Sequence, residues 1–520
     1  MSDNTTSNNR VILGLIFTLV LYVAALFAGS PQRVTARIAA QQKAAAEVPL
    51  NDRLEARAAE PSHAEAGLEF PPLWMMLPFA LILLAIAVFP LIPRASHWWE
   101  SNLHKLYVAG GLSLATSAYY LLFHRHGVVG HWPVEYLSMP ASGGPNWHLT
   151  GTVLSNAILN EYLPFVILLF SLYTITGGIR IEGDLPAHPL TNTLFLAAGA
   201  VLANLIGTTG ASMLLIRPLL ETNAERKHVK HTVVMFIFIV CNCGGCLLPL
   251  GPPLFLGYQF GVPFLWTLKL WPAWLAVNGL LLVIYYLWDH FAYYQHESVR
   301  DIQRDESEVR PLRFRGLWPN TLLLLGVILS AAFLDPGKAL PGTVWNPWVY
   351  LREMVLLGLV VVSLWSGQAV RRDNGFNYGA ILEVAVLFFG IFICMQVPLQ
   401  IVDVKGPALG LTTPAHFFWA SGSLSAVLDN APTYAVFFET ARSLGGQPAV
   451  AGIQASLLTA ISLGSVFMGA MTYIGNGPNF MVKSIAEKSG VAMPSFFGYI
   501  VYSAAILLPL LVLVTIVCLR

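Results

Sequence analysis

The stretch SAVLDNAPTY, residues 425–434, sets Asp429, Asn430 and Pro432 side by side within an otherwise apolar run, with Thr433 immediately after. A second polar interruption, ANLIGTTGAS, carries Asn204, Thr208 and Thr209. A third, GNGPN, carries Asn476, Pro478 and Asn479, and three of its five residues do not fit comfortably in a regular helix. Amide and hydroxyl oxygens, with the carbonyls freed where a helix breaks, suit a hard cation such as sodium. Helix N-termini at the same breaks suit an anion instead. A carboxylate shielded from water favours its protonated form, and a neighbouring cation favours the ionised one. One acid such as Asp429 can therefore hold a proton or a sodium ion in exclusive turns, which is the core of antiport. The competing reading of Asp429 is a cap on the helix that follows, since Asp bonds backbone N–H groups at helix starts.

The elements that must position these groups cross a membrane. Of 520 residues, 56% are hydrophobic and 11% charged, against roughly 45–50% and about 25% in soluble domains. The balance of 29 basic and 28 acidic residues gives no reason to expect a nucleic-acid partner. Apolar runs of about 20 residues, enough to cross about 30 Å of hydrocarbon, fall near 11–28, 72–93, 105–124, 156–179, 232–256, 270–289, 317–335, 350–369, 379–401, 450–475 and 494–518. Two stretches, 190–217 and 407–440, fit single spans badly and read as hairpins that enter the membrane and return. The first lies between Arg180 and the basic RPLLETNAERKHVK, which places both its ends in the cytoplasm. The loop from Asp289 to Arg315 falls on the same side, and the second hairpin is expected to open outward.

Three signposts recur in order: Ala157 with Ala380, Asn204 with Asn430, and Gly251 with Gly475 or Gly477, each separated by roughly 225 residues. Five spans and a hairpin per half make the second copy upside down relative to the first. The expected fold is an all-α polytopic membrane protein of two inverted repeats, 71–290 and 317–520. Residues 1–30 read as an uncleaved N-terminal anchor, 31–70 as an extramembrane linker rich in Ala and charge, and 291–316 as a cytoplasmic linker. Glu161 and Glu383 begin matching spans, which suggests a shared proton-coupling role. CNCGGC, with Cys241, Cys243 and Cys246, lacks the paired spacing of a metal site and reads as small residues loosening a helix. His124, His126 and His131 read as solvated loop residues.

The paired tips, with GGCLLPLGPP in one half and GAMTYIGNGPN in the other, resemble the ion-transporter superfamily. It includes D-type sodium/proton antiporters, arsenite permeases, divalent-anion/sodium symporters and citrate transporters. The resemblance covers roughly residues 70–518. It implies one hairpin opening inward and one outward, a moving transport domain, a scaffold that forms a homodimer, and sodium near the tips at Asn204, Asp429 and Asn430. By position, Asn204 and Asn430 match the tip amides, and Gly251, Pro252, Asn476, Pro478 and Asn479 the facing breaks. The serine-asparagine-threonine tip of the dicarboxylate branch is replaced here by ANL and DNA. The expected function is sodium/proton antiport by alternating access in the inner (plasma) membrane, with a sodium- or proton-coupled citrate or dicarboxylate carrier as the alternative. Arg217, thirteen residues beyond Asn204, is too far along the chain to serve the tip. No Ser/His/Asp grouping, zincin motif or phosphate loop marks an enzyme, and no cofactor is expected beyond the coupling ion.

Overall fold

The computed structural model describes residues 3–47, 70–298, 300, 307 and 309–519. Most of the linker expected at 31–70 and part of that at 291–316 lie outside the described residues; the first begins with a helix, Ser30–Glu47. The protein is an all-α polytopic membrane protein. Among the described residues, seven helices, including Leu73–Leu91, Trp147–Thr176, Gly379–Leu409 and Phe496–Cys518, are long and apolar enough to cross a membrane. Strands among the described residues form three short two-stranded pairs.

Two spans expected to be continuous are broken. The run at 232–256 is helical over Lys230–Phe238, widens to a π-helix at Ile239–Cys243, loses regular structure and resumes at Pro252–Gln259. The run at 450–475 is helical over Ala455–Phe467, tightens to 3-10 geometry at Met468–Met471 and resumes at Gly477–Lys488. Glycine lowers the cost of leaving the helix, and Pro252 and Pro478 fit the first turn of the helix that resumes because their missing N–H has no partner there anyway.

The chain forms two compact units, each drawn from both halves of the sequence: residues 1–171, 325–365 and 377–406 in one, and 172–324, 366–376 and 407–520 in the other. In the first, Gly379–Lys405 packs on Asn102–Leu122. A Cβ on Gly390 would lie 3.0 Å from Cα of Ala109, so small residues let the two backbones approach. Phe165 stacks on Phe388 at 4.8 Å. Both expected proton-coupling acids belong to this unit. Glu161 is buried and accepts from Gln396 Nε2 at 3.2 Å, while half-exposed Glu383 pairs with Lys105 at 2.8 Å.

His124 is not solvated as its loop position suggests: it is 1% exposed, packed against the rings of Tyr119 and Tyr120. Burial, then the neighbouring His126, pushes its pKa down from the ordinary 6.5 to about 4. The unfolded chain therefore takes up a proton near pH 6.5 that the folded chain refuses until about pH 4. Stability is expected to fall as pH drops through that window and to level off below it. Thermal unfolding of the protein and of His124→Gln across pH 7 to 4 checks this, and an equal slope in the two would contradict it.

In the second unit, Asp289, first residue of the loop expected in the cytoplasm, is fully buried, because Trp271–Trp288 continues into a π-helical turn, Asp289–Tyr293. Arg226 donates to its two carboxylate oxygens at 2.9 and 2.6 Å, and His231 Nε2 lies 2.8 Å away. Glu297 adds a carboxylate 3.8 Å from Arg226 Nε. Buried charges persist where they are paired in this way.

Candidate transport site

The first hairpin is Pro189–Thr222, two helices joined at Gly207, whose φ of +71° and ψ of 158° belong to neither. The reversal is visible in its contacts. A Cβ on Gly199 would lie 3.2 Å from Leu215 Cδ1, with the two residues equally far from Gly207 on either side. At the open end, Asn192 and Asn223 exchange amide hydrogen bonds of 2.8 and 2.9 Å, which leaves neither buried amide wanting. Only glycine adopts the Gly207 backbone without strain, and a Cβ there would also sit 3.1 Å from the Leu250 carbonyl.

This tip is stapled to the first broken helix. Asn204 Nδ2 donates to the Ala200 carbonyl at 3.0 Å, and its Oδ1 accepts the Leu247 N–H at 2.7 Å. Thr208 is buried, and its methyl fills the space a Cβ on Gly245 would need. Thr209 is partly exposed. Carbonyls freed by the break are met by side chains: Trp274 donates to Gly244 at 2.7 Å, Asn278 to Cys243 at 3.0 Å and Thr267 to Leu247 at 2.9 Å. The three cysteines of CNCGGC are buried and free, and no metal-ligating group of His, Cys, Asp or Glu occurs among the described residues.

The second hairpin pairs Pro414–Ser425 with Asn430–Leu444, and the rings of Phe417 and Phe437 meet across it at 6.4 Å. Asp429 is the N-cap of the second arm. Its carboxylate accepts the Ala431 N–H at 3.0 Å, and Thr433 Oγ1 donates to its carbonyl at 2.9 Å. The cap predicted as the competing reading is thus present, on a residue of intermediate exposure. Asn430 is buried, and its Oδ1 has no hydrogen-bond partner among the described residues.

Oxygen atoms crowd around this tip. The carbonyls of Gly469, Ser425 and Ala426 lie 2.6, 2.7 and 3.2 Å from the point where a Cβ on Gly475 would begin, so only glycine leaves that space open. Around Gly469, Asn242 Oδ1, the Gly475 carbonyl and Asn430 Nδ2 lie 3.0, 3.3 and 3.7 Å from the corresponding point. Thr472 Oγ1 ties the second break to this hairpin through the Ala426 carbonyl at 2.5 Å.

Asn242 joins the two breaks and was missed in the sequence. It donates to Asn479 Oδ1 at 2.7 Å and accepts from Asn476 Nδ2 at 3.2 Å. Asn476 also donates to the Cys241 carbonyl at 2.8 Å, and Asn479 to those of Gly469 and Thr472 at 2.8 and 2.9 Å. Its signal was a lone amide in the apolar run VVMFIFIVCNC, overshadowed by the cysteines on either side. The helices that resume after the breaks begin at Pro252 and Gly477. Neither N-cap, Gly251 or Asn476, gives a side-chain cap, so the partial positive charge of each helix start is uncompensated by its own cap. Arg217 lies away from this cluster, exposed and donating to the Asn374 carbonyl at 2.7 Å.

Paired hairpins and paired broken helices gathered in one unit define a multi-pass α-helical membrane protein of the transporter class. The sequence profile of the family described as "Putative citrate transport" matches residues 69–519, and the chain belongs to that family. A search of curated proteins found no match.

Proposed function

We propose that this chain is a secondary active carrier that moves a small carboxylate of citrate's kind together with sodium. The observation that carries the reading is the buried, orphan Oδ1 of Asn430, at a tip around which backbone carbonyls crowd. A buried acceptor without a donor is costly, and a hard cation with oxygen ligands relieves that cost. Sodium there brings a positive charge to the second tip, while the partial positive charge of the helix starts at Pro252 and Gly477 favours an anion, although Pro252, Pro253 and Pro478 contribute no N–H there. Cation and carboxylate then neutralise one another, which compensates for the absence of an Arg or Lys from the tip motifs. The family's description supports a carboxylate cargo.

Alternating access follows from the arrangement we infer: two halves as inverted repeats, 71–290 and 317–520, with one hairpin opening to each face of the cell's inner membrane. In liposomes, an inward sodium gradient is expected to drive citrate accumulation, and sodium-driven proton movement without citrate would overturn the reading.

Sodium/proton antiport through Asp429 is the second reading, favoured by the presence of an acid at the tip. Asp429→Asn separates the two. Asparagine is an equally good cap, so in the carboxylate carrier the variant loses at most a few tenths of a kcal/mol of stability and keeps sodium-driven uptake. In an antiporter it abolishes sodium-driven proton movement, read with a pH dye inside the liposomes.

A further inference from the structure

A cavity of about 480 Å³ opens where the C-terminal end of the first hairpin, the start of Lys230–Phe238, the end of Gly477–Lys488 and Tyr502 of the last helix come together. Arg226, Lys227, His228, Lys230 and His231 all line it, and among the described residues no Asp or Glu does. The charges are not equivalent. Arg226 and His231 are committed to buried Asp289, and Arg226 also to Glu297. Lys227 and Lys230 are exposed, and among the described residues neither is in an ion pair. Asp289 and Glu297 thus pair with Arg226 and His231, Glu297 also accepting the Lys227 and His228 N–H groups at 3.3 and 3.2 Å, and leave the ammonium groups of the two lysines without an ion pair among the described residues.

Backbone chemistry points the same way. The helix starting at Lys230 has no side-chain cap, so its N-terminal end adds uncompensated partial positive charge beside the two lysines. The remaining wall is mixed: the Ser489 hydroxyl, Gly490, Val491 and the rings of Tyr293 and Tyr502. A bare chloride or phosphate does not fill this volume, whereas a phosphate attached to a glycerol-sized polar group matches both its cations and its amphipathic wall. Charge bias places the 217–230 segment on the cytoplasmic side, where anionic lipids concentrate and basic pockets between helix ends receive their headgroups.

We propose that this cavity binds a phosphate-bearing anion, supplied by the headgroup of an anionic phospholipid in the cytoplasmic leaflet. Such a ligand touches the end of the first hairpin, the start of the first broken helix and the end of the second. It therefore stabilises one relative placement of those three ends, and this holds whichever cargo the protein carries.

The test uses delipidated full-length protein in neutral detergent and follows thermal unfolding with three additions: short-chain phosphatidylglycerol, short-chain phosphatidylcholine and inorganic phosphate. Phosphatidylglycerol is expected to raise the midpoint and phosphatidylcholine to leave it unchanged. In the K227Q/K230Q variant the phosphatidylglycerol concentration needed for half the effect is expected to rise at least tenfold, with an unchanged midpoint before any addition showing an intact fold. If inorganic phosphate alone reproduces the shift at the same concentration, and the variant loses it, the site is supported and the lipid source is overturned. No shift from either anion, an equal shift from phosphatidylcholine, or an equal response in the variant overturns the site itself.

Discussion

Asn430→Leu is expected to raise the sodium concentration needed for half-maximal carboxylate uptake by about 10- to 100-fold, the loss of one charge-assisted contact worth about 1.5–3 kcal/mol. Leucine keeps the branching and the number of side-chain heavy atoms, with somewhat more bulk, and removes both polar ends. Asn430 Oδ1 is buried without a donor, so its removal in sodium-free buffer relieves an unsatisfied acceptor. The variant is therefore expected to unfold at the same temperature as the parent, or higher, when sodium is absent. Added sodium then stabilises the parent by mass action and fails to stabilise the variant. A structural amide gives the opposite pattern: lower stability in every buffer and an unchanged response to sodium. Unfolding midpoints against sodium concentration, beside initial uptake rates, decide between the two.

The largest effect on stability is expected from Arg226→Ala. It removes two hydrogen bonds to a fully buried carboxylate and leaves Asp289 with His231 at 2.8 Å and Tyr285 at 3.4 Å. Breaking a buried pair from one side costs about 3–5 kcal/mol, because the remaining charge has lost its compensation. Removing both partners leaves no such charge, so Arg226→Leu/Asp289→Leu is expected to be less destabilised than Arg226→Ala alone. Denaturation of the purified variants in detergent measures this. A double variant that loses the sum of the two single losses would show that the ion pair has no special weight at this site.

How much of this was legible in the sequence differs from residue to residue. The hairpins were readable because ANLIGTTGAS and LDNAPT interrupt runs too long or too polar for single spans, and Gly207 and Asp429 lie within those interruptions. The breaks after Cys243 and Met471 were signposted by glycine and proline, but the apolar flanks on both sides still read as one span each. Asn242 was not legible as a centre, since its importance lies in meeting Asn476 and Asn479, more than 230 residues away in sequence. Asp429 shows a different limit. A cap and a cation ligand ask for the same residue at the same place, and only the hydrogen bond from Ala431 reveals the cap. Glu161 and Glu383 begin matching spans but meet an amide and a lysine, partners that no local pattern discloses. The pairing of Arg226 with Asp289 was hidden because the aspartate follows the apolar span directly, where a helix usually reaches solvent.

Sodium and a carboxylate are proposed to share one site, and equilibrium binding tests that sharing. Calorimetric titration of the purified protein with citrate, at several fixed sodium concentrations and with potassium as the control, gives the coupling between them. Linkage requires that sodium tighten citrate and citrate tighten sodium by the same factor, expected here to be about tenfold or more, equivalent to about 1.4 kcal/mol or more. The account predicts that reciprocal factor in the parent and its loss in Asn430→Leu. Citrate affinity that is the same in sodium and in potassium, or no citrate binding at any sodium concentration, would contradict it.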